Sequence, residues 1–210
     1  MPFIDPAFLL NDEIPLSRLL ITSADDSDVI KTSFELAKVF SKTENPILWV
    51  DGNLGERLPT HFPLNPDLEK VISGQLPLTY AIKKHENIFI LTGKAEHFLA
   101  ELPETKQYQF LQDLKNIYPH FQKVIITVDG KNPTLQKKWM KEVESAYLLF
   151  NCKNLFAGRT ATWLETNKNL VKGLIGIGKN DQEVLLTYLR LKEILGSIPE
   201  LILDIKKIAP

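Results

Sequence analysis

The sequence predicts an α/β domain of three layers, a doubly wound and mostly parallel sheet with helices on both faces. Short apolar runs alternate along the chain with segments whose apolar residues recur at helical spacing, the order that strands joined by crossover helices produce. The runs are continuously apolar rather than alternating, as strands buried on both faces must be. A length of 210 residues with 44% hydrophobic and 24% charged content is enough for one well-filled core, so a single domain over 1–210 is expected.

A proline-containing leader, residues 1–18, precedes the first run. Strands are expected at 19–22, 47–50, 88–91, 124–128, 146–150 and 174–177, each short and apolar. Helical stripes lie between them: Phe34, Ala37 and Phe40; Phe110, Leu111, Leu114 and Ile117; Leu135, Trp139 and Val143; Val184, Leu185, Tyr188 and Leu195. Residues at these spacings share one face of a helix, so all are expected in the core. Trp139 belongs to such a stripe, which makes Lys137, Lys138 and Lys141 around it a solvated face. Residues 54–87 form an insertion: a turn-rich stretch, a short helix at 67–72, a Ser73-Gly74 break and then PLTYAIKK. The last stretch, 196–210, is expected to give an edge strand and then a short helix docked on the domain. Its Leu201, Ile202, Ile205 and Ile208 beside Lys206 and Lys207 also suit a weak membrane-surface helix.

Several function classes are disfavoured. A net charge of -1 gives no global attraction to nucleic acid, so no nucleic-acid partner is expected. The single Cys152 follows an apolar run and reads as a buried, inert thiol. There is neither a basic-then-apolar leader nor an apolar run of membrane-spanning length, so the expected compartment is the cytoplasm. His61, His85, His97 and His120 show no metal-ligand spacing, and no Gly-x-Ser-x-Gly nucleophile elbow occurs.

Residues 19–33, LLITSADDSDVIKTS, read as a strand passing into a helix through a loop that ends in Lys31-Thr32-Ser33, where a phosphate-binding loop would sit. Glycines make such a loop work, because they let successive N–H groups turn toward an anion at the helix N-terminus. This loop has none, and Asp25, Asp26 and Asp28 stand in it. At about 6 Å and an effective dielectric near 20, each carboxylate repels a phosphate charge by roughly 2–3 kcal/mol, so three outweigh the attraction of Lys31. A lysine that opens a helix is poorly placed unless an anion faces it. Asp26 or Asp28 in the place of a phosphate is the favoured partner, with a bound nucleotide and plain solvation as alternatives. Thr32 and Ser33 read as hydroxyls at a helix start. Asp51, at the carboxyl end of a strand, points into the crevice where open α/β sheets bind ligands.

Further landmarks follow in order: ILWVDGN at 47–53, VISG at 71–74, PLTYAI at 77–82, IFILTGK at 88–94, FQKVIITVDG at 121–130, SAYLLFNCK at 145–153, VKGLIGIGKND at 171–181 and LGSIPE at 195–200. Together with the Thr22-Ser23 strand end and Lys31-Thr32, they resemble the MinD/ParA group of deviant Walker-type P-loop ATPases, which includes FlhG-like regulators and the tyrosine-kinase domains of bacterial capsule assembly. The resemblance implies a P-loop NTPase fold and makes Lys31, Thr32, Asp51 and Asn180 the remnants of a nucleotide site, with Asn180 at the adenine-reading position.

The departures from the group fall on its catalytic parts. Asp25, Ser27, Asp28 and Ile30 stand at the loop glycines and Asp26 at the signature lysine. Eight residues separate Thr22 from Lys31, one more than the group has. Asn53 replaces the second acid of an Asp-x-Asp pair. Thr127 replaces the acid that anchors the metal-bound water, and Asp129 lies two residues on, about 7 Å along the strand. By resemblance the domain is therefore expected not to hydrolyse ATP and to hold no metal or cofactor. It is expected to serve as a protein-binding subunit of a bacterial envelope-linked assembly for secretion, pili or flagella, or polysaccharide export. Homo- or hetero-dimers are possible partners in this reading, and membrane contact is peripheral at most. The alternative is a weak ATP-binding switch whose site a partner or dimer completes. The tyrosine cluster of the kinase members is absent, so autophosphorylation is not expected.

Overall fold

The apolar runs become strands because a central strand of a parallel sheet buries both of its faces. The computed structural model describes residues 18–24, 29–42, 46–53, 68–93, 102–130, 133–152, 158–167 and 169–202. Its strands are β1 (Arg18–Ser23), β2 (Ile47–Asp51), β3 (Ile82–His85), β4 (Ile88–Leu91), β5 (Lys123–Val128), β6 (Ser145–Asn151), β7 (Val171–Ile177) and β8 (Glu200–Ile202). The helices are α1 (Val29–Phe40), α2 (Leu68–Ile72), α3 (Glu104–Ile117), α4 (Pro133–Met140), α5 (Gly158–Asn167) and α6 (Asp181–Leu195), with 3-10 turns at Leu78–Ala81 and Tyr118–His120. All the strands join one sheet in the order β3-β4-β2-β5-β1-β6-β7-β8. Every pairing is parallel except the β3–β4 hairpin. Leu20, at the centre, faces Ile126 on one side and Ala146 on the other.

Alternate residues of each strand feed opposite layers. On one face Ile21, Trp49, Ile125, Tyr147 and Leu149 meet Ile30, Phe34, Ala37 and Phe40 of α1. Phe34 packs edge-on against Trp49, with ring centroids 5.5 Å apart. On the other face Leu48, Val50, Ile126 and Val128 meet Leu68 of α2, Phe110 and Leu114 of α3, and Leu135 and Trp139 of α4. Further along that face Leu148, Phe150 and Leu174 meet Leu164 of α5 and Val184 and Leu191 of α6. The expected three-layer α/β architecture is thus observed, with helices on both faces.

Some elements differ from the sequence expectation. PLTYAIKK contains the strand β3, whose Lys83, Lys84 and His85 are all exposed. Charged residues on an outermost strand hide the strand pattern and also blunt its unpaired edge against association. Helix α5 was not expected, because GRTATWLETN shows only Trp163 and Leu164 as large apolar residues. β7 begins at Val171, three residues before the expected start. Leu185 is exposed instead of buried: α6 seats Val184, Thr187 and Leu191, which rotates Leu185 outward. Val143 lies beyond the end of α4, where it still packs on the core. The expected last strand is present as β8, and the helix expected after it lies outside the described residues, as do most of the leader, His61 and His97. No described helix is long and apolar enough to cross a membrane. Cys152 is half-buried rather than buried, and burial pushes its thiol pKa up.

Tyr147 carries a pH signature. Its hydroxyl is buried on the α1 face without a partner, and burial raises its pKa from 10.0 to about 12. The neutral form is therefore favoured by folding. The unfolded chain ionises first, so this stability is intact below pH 10 and is lost as pH rises toward 12. Tyr118 is raised in the same direction, by burial first and by Glu142 second. Replacing Tyr147 with Phe removes an unpaired hydroxyl, so stability at pH 7 should stay within about 1 kcal/mol of the parent. The alkaline decline in urea midpoint should become shallower; an unchanged decline would assign it to other groups.

Candidate functional site

The parallel strands end along one edge of the sheet, the side on which open α/β sheets hold their ligand crevice, and polar residues gather there. β1 finishes in Thr22 and Ser23, both buried. The Thr22 hydroxyl donates to the Val128 carbonyl at 2.7 Å. Gln136 of α4 donates its amide nitrogen to Thr22 Oγ1 at 2.6 Å and to the Ser23 carbonyl at 2.8 Å. Its oxygen accepts from the Trp163 indole of α5 at 2.9 Å. One glutamine thus ties β1 to two helices.

A second network lies under the start of α1. Ser33 Oγ donates to the Ile30 carbonyl at 3.0 Å and accepts from Trp49 Nε1 at 3.0 Å and from Thr127 Oγ1 at 2.6 Å. Ser33, Trp49 and Thr127 are all shut off from solvent. Thr127, the position expected to correspond to the resembled family's acid, is thus a neutral hydroxyl whose hydrogen is given to Ser33.

Asp51 is fully buried at the end of β2. Its carboxylate accepts from the Asn53 backbone at 3.1 Å and from the Thr92 hydroxyl at 3.3 Å. Asn53 Oδ1 accepts from the Asp129 backbone at 3.4 Å, while Asn53 Nδ2 is buried with no partner. Two close backbone approaches pin this floor. Gly52 donates to the Thr127 carbonyl at 2.7 Å and accepts from Trp139 Nε1 at 3.0 Å. A Cβ on Gly130 would fall 2.5 Å from the Ser23 carbonyl, so only glycine lets β5 leave the sheet beside β1.

The four residues proposed from the sequence all lie along this edge. Lys31 is exposed and Thr32 half-buried in the first turn of α1. Asn180 caps α6: its side chain accepts from the Glu183 backbone at 2.9 Å, and Glu183 in turn accepts from the Lys179 backbone at 2.6 Å. With β2 and β7 four steps apart in the sheet, Asp51 and Asn180 stand about 19 Å apart across it, and Lys31 and Thr32 lie between. The acidic turn of Asp25, Asp26 and Asp28 lies outside the described residues. Among those described, no group of His, Cys, Asp or Glu is arranged to hold a metal ion. Trp139 is fully buried, as its stripe implied, and Lys138 bonds Gln107 of α3. Gln136 and the Ser33–Trp49–Thr127 contact were not anticipated, because their partners are distant in sequence and carry no motif.

No family model matches the chain, and no curated protein matches it in sequence. Solved structures do match. A chain of the MinC:MinD cell division complex of Aquifex aeolicus superposes with a TM-score of 0.65 at 16% identity, over 91% of this chain and 83% of that one. The chain has the MinD-type P-loop fold. Cobyrinic acid a,c-diamide synthase of Mycobacterium smegmatis, solved with an ATP analogue and magnesium, gives 0.64 at 14% identity over 85% and 82% of the two chains. The kinase domain of VpsO gives 0.57 at 18% identity over 95% and 90%. At such identities the likeness establishes the fold and nothing finer.

Three substitutions test how the floor of this MinD-type fold is built. Ser33→Ala takes the acceptor from two buried donors and should cost about 2–5 kcal/mol, whereas Thr127→Val, which removes a donor and keeps the shape, should cost about 1 kcal/mol. Urea denaturation gives both values, and equal losses would contradict the role assigned to Ser33. A Cβ on Gly52 would lie 2.6 Å from Val128 Cγ2 and 2.8 Å from Trp139 Nε1, so Gly52→Ala should lose about 1–3 kcal/mol by overpacking.

Proposed function

We propose that this chain is a MinD/ParA-type domain that does not hydrolyse ATP and acts as a protein-binding subunit of a bacterial envelope-linked assembly, on its cytoplasmic side. The observation that carries this reading is the Thr127–Ser33 hydrogen bond of 2.6 Å. Magnesium-assisted phosphoryl transfer relies on an acid that orients the metal's water shell, and on positive groups that offset the charge of the triphosphate. Thr127 offers no charge, and its hydrogen is already committed. The Asp51 oxygens accept from Asn53 and Thr92. On this reading the described residues do not fit a magnesium nucleotide, and the acidic residues 25, 26 and 28 add repulsion.

The partner role draws on two things. One is the sequence resemblance to proteins that place or build envelope machines. The other is that a neighbour of the same fold was solved as the MinC:MinD complex. A second reading, a weak ATP-binding switch completed by a partner, is favoured by Asn53 Nδ2, a buried donor in the crevice without an acceptor.

Titration with Mg-ATP separates the two. A site with micromolar Kd would add about 4 kcal/mol of stability in millimolar ligand. The expected outcome is no binding heat, no phosphate release and no rise in melting temperature, with Lys31→Ala capturing the same partners as the parent from the native host. Micromolar binding, or loss of those partners in Lys31→Ala, would favour the switch.

A further inference from the structure

Helix α6 seats Val184, Thr187 and Leu191 against the domain, yet its outward face is apolar as well. Leu185, Leu186 and Leu189 are 44%, 58% and 48% exposed, and Ile194 is 69% exposed. Apart from Leu170, just before β7, only Tyr80 and Tyr108 among the described large apolar residues are comparably open. Exposed apolar side chains therefore gather on one helix instead of scattering singly, and a gathered patch marks a contact surface.

The pattern of the patch identifies what covers it. At 3.6 residues per turn, the ridge opposite the buried one runs through Gln182, Leu186, Leu189 and Glu193. These residues are separated by four, three and four positions, the spacing of a helix–helix seam, and that spacing is the same read from either end. A two-fold axis passing between Thr187 and Tyr188 sets Leu186 of one chain against Leu189 of the other, twice. The same axis sets Gln182 against Glu193, an amide donor against a carboxylate. Glu183 and Arg190, which flank the ridge on one side, then meet with opposite charge. A parallel pairing would instead set Glu193 against Glu193. We infer that the outward ridge of α6 is the contact surface of a symmetric homodimer in which the α6 helices of two copies lie antiparallel.

This inference is independent of nucleotide, because the ridge lies along the helix and not in the crevice. A single pair of short helices buries less than the about 1,600 Å² of a standard interface, so micromolar self-association is expected. Sedimentation equilibrium of the full chain without nucleotide should show a concentration-dependent dimer. The double variant L186E/L189E should weaken it at least tenfold while keeping the circular dichroism and urea midpoint of the parent. In a Cys152→Ser background, Gln182→Cys and Glu193→Cys chains should cross-link on oxidation when mixed, and neither should cross-link alone. A native chain that stays monomeric through the micromolar range would overturn the inference. So would a dimer indifferent to the two glutamates, a dimer that forms only with Mg-ATP, or Gln182→Cys chains that cross-link to one another.

Discussion

The Ser33 hydroxyl is the joint on which the crevice depends. It holds three elements at one point, α1 through the Ile30 carbonyl, β2 through the Trp49 indole and β5 through Thr127. All of this lies where no water reaches, so each polar group must find its partner within the protein. A shift of α1 by a single residue would turn Ser33 by about 100° away from the sheet and strand two donors. The rotation of α1 is thereby fixed, and with it the outward placement of Lys31 and Thr32.

The remainder of the floor obeys the same constraint. Gln136 uses both hydrogens of its amide nitrogen and its oxygen to join β1, α4 and α5. The Gly52 carbonyl receives the Trp139 indole at the place where a side chain would collide. Two tryptophans thus donate their N–H groups on opposite faces of the sheet, Trp49 to Ser33 of α1 and Trp139 to the Gly52 carbonyl. Such bonds stabilise modestly when made but cost much when broken, since the orphaned group stays buried. Asn53 Nδ2 is the exception among the described residues of the floor.

Those parts of the fold that rest on burial of both strand faces were legible in the sequence. Residues 47–50, 88–91 and 146–150 read as strands because no polar residue interrupts them, and each lies within an observed strand. β3 escaped because an outermost strand can leave both of its faces open, as the exposed Lys83, Lys84 and His85 do. Leu185 was misplaced because a helix with apolar residues on two faces gives an ambiguous stripe, and only packing decides which face turns inward. At the site, order and spacing single out Thr127 as the position where the resembled group carries an acid. Its bond to Ser33 is not legible in the sequence, because the two residues are 94 apart and neither residue type announces a buried pair.

A nucleotide switch requires two arrangements that the ligand distinguishes, because a ligand that interacts equally with both shifts no population. In the proposed reading the acid position is held by a hydroxyl already bonded to α1, so the contact that would otherwise await the metal is made in its absence. The structure that results has one state at that point, and any surface whose shape depends on it is presented continuously. The outward ridge of α6 suits this condition. It stands on Val184 and Leu191, which pack against Leu148, Phe150 and Leu174, and the helix is capped by Asn180. A contact surface anchored in the core keeps its form independently of nucleotide. On the proposed reading, association would then need no chemistry at the crevice.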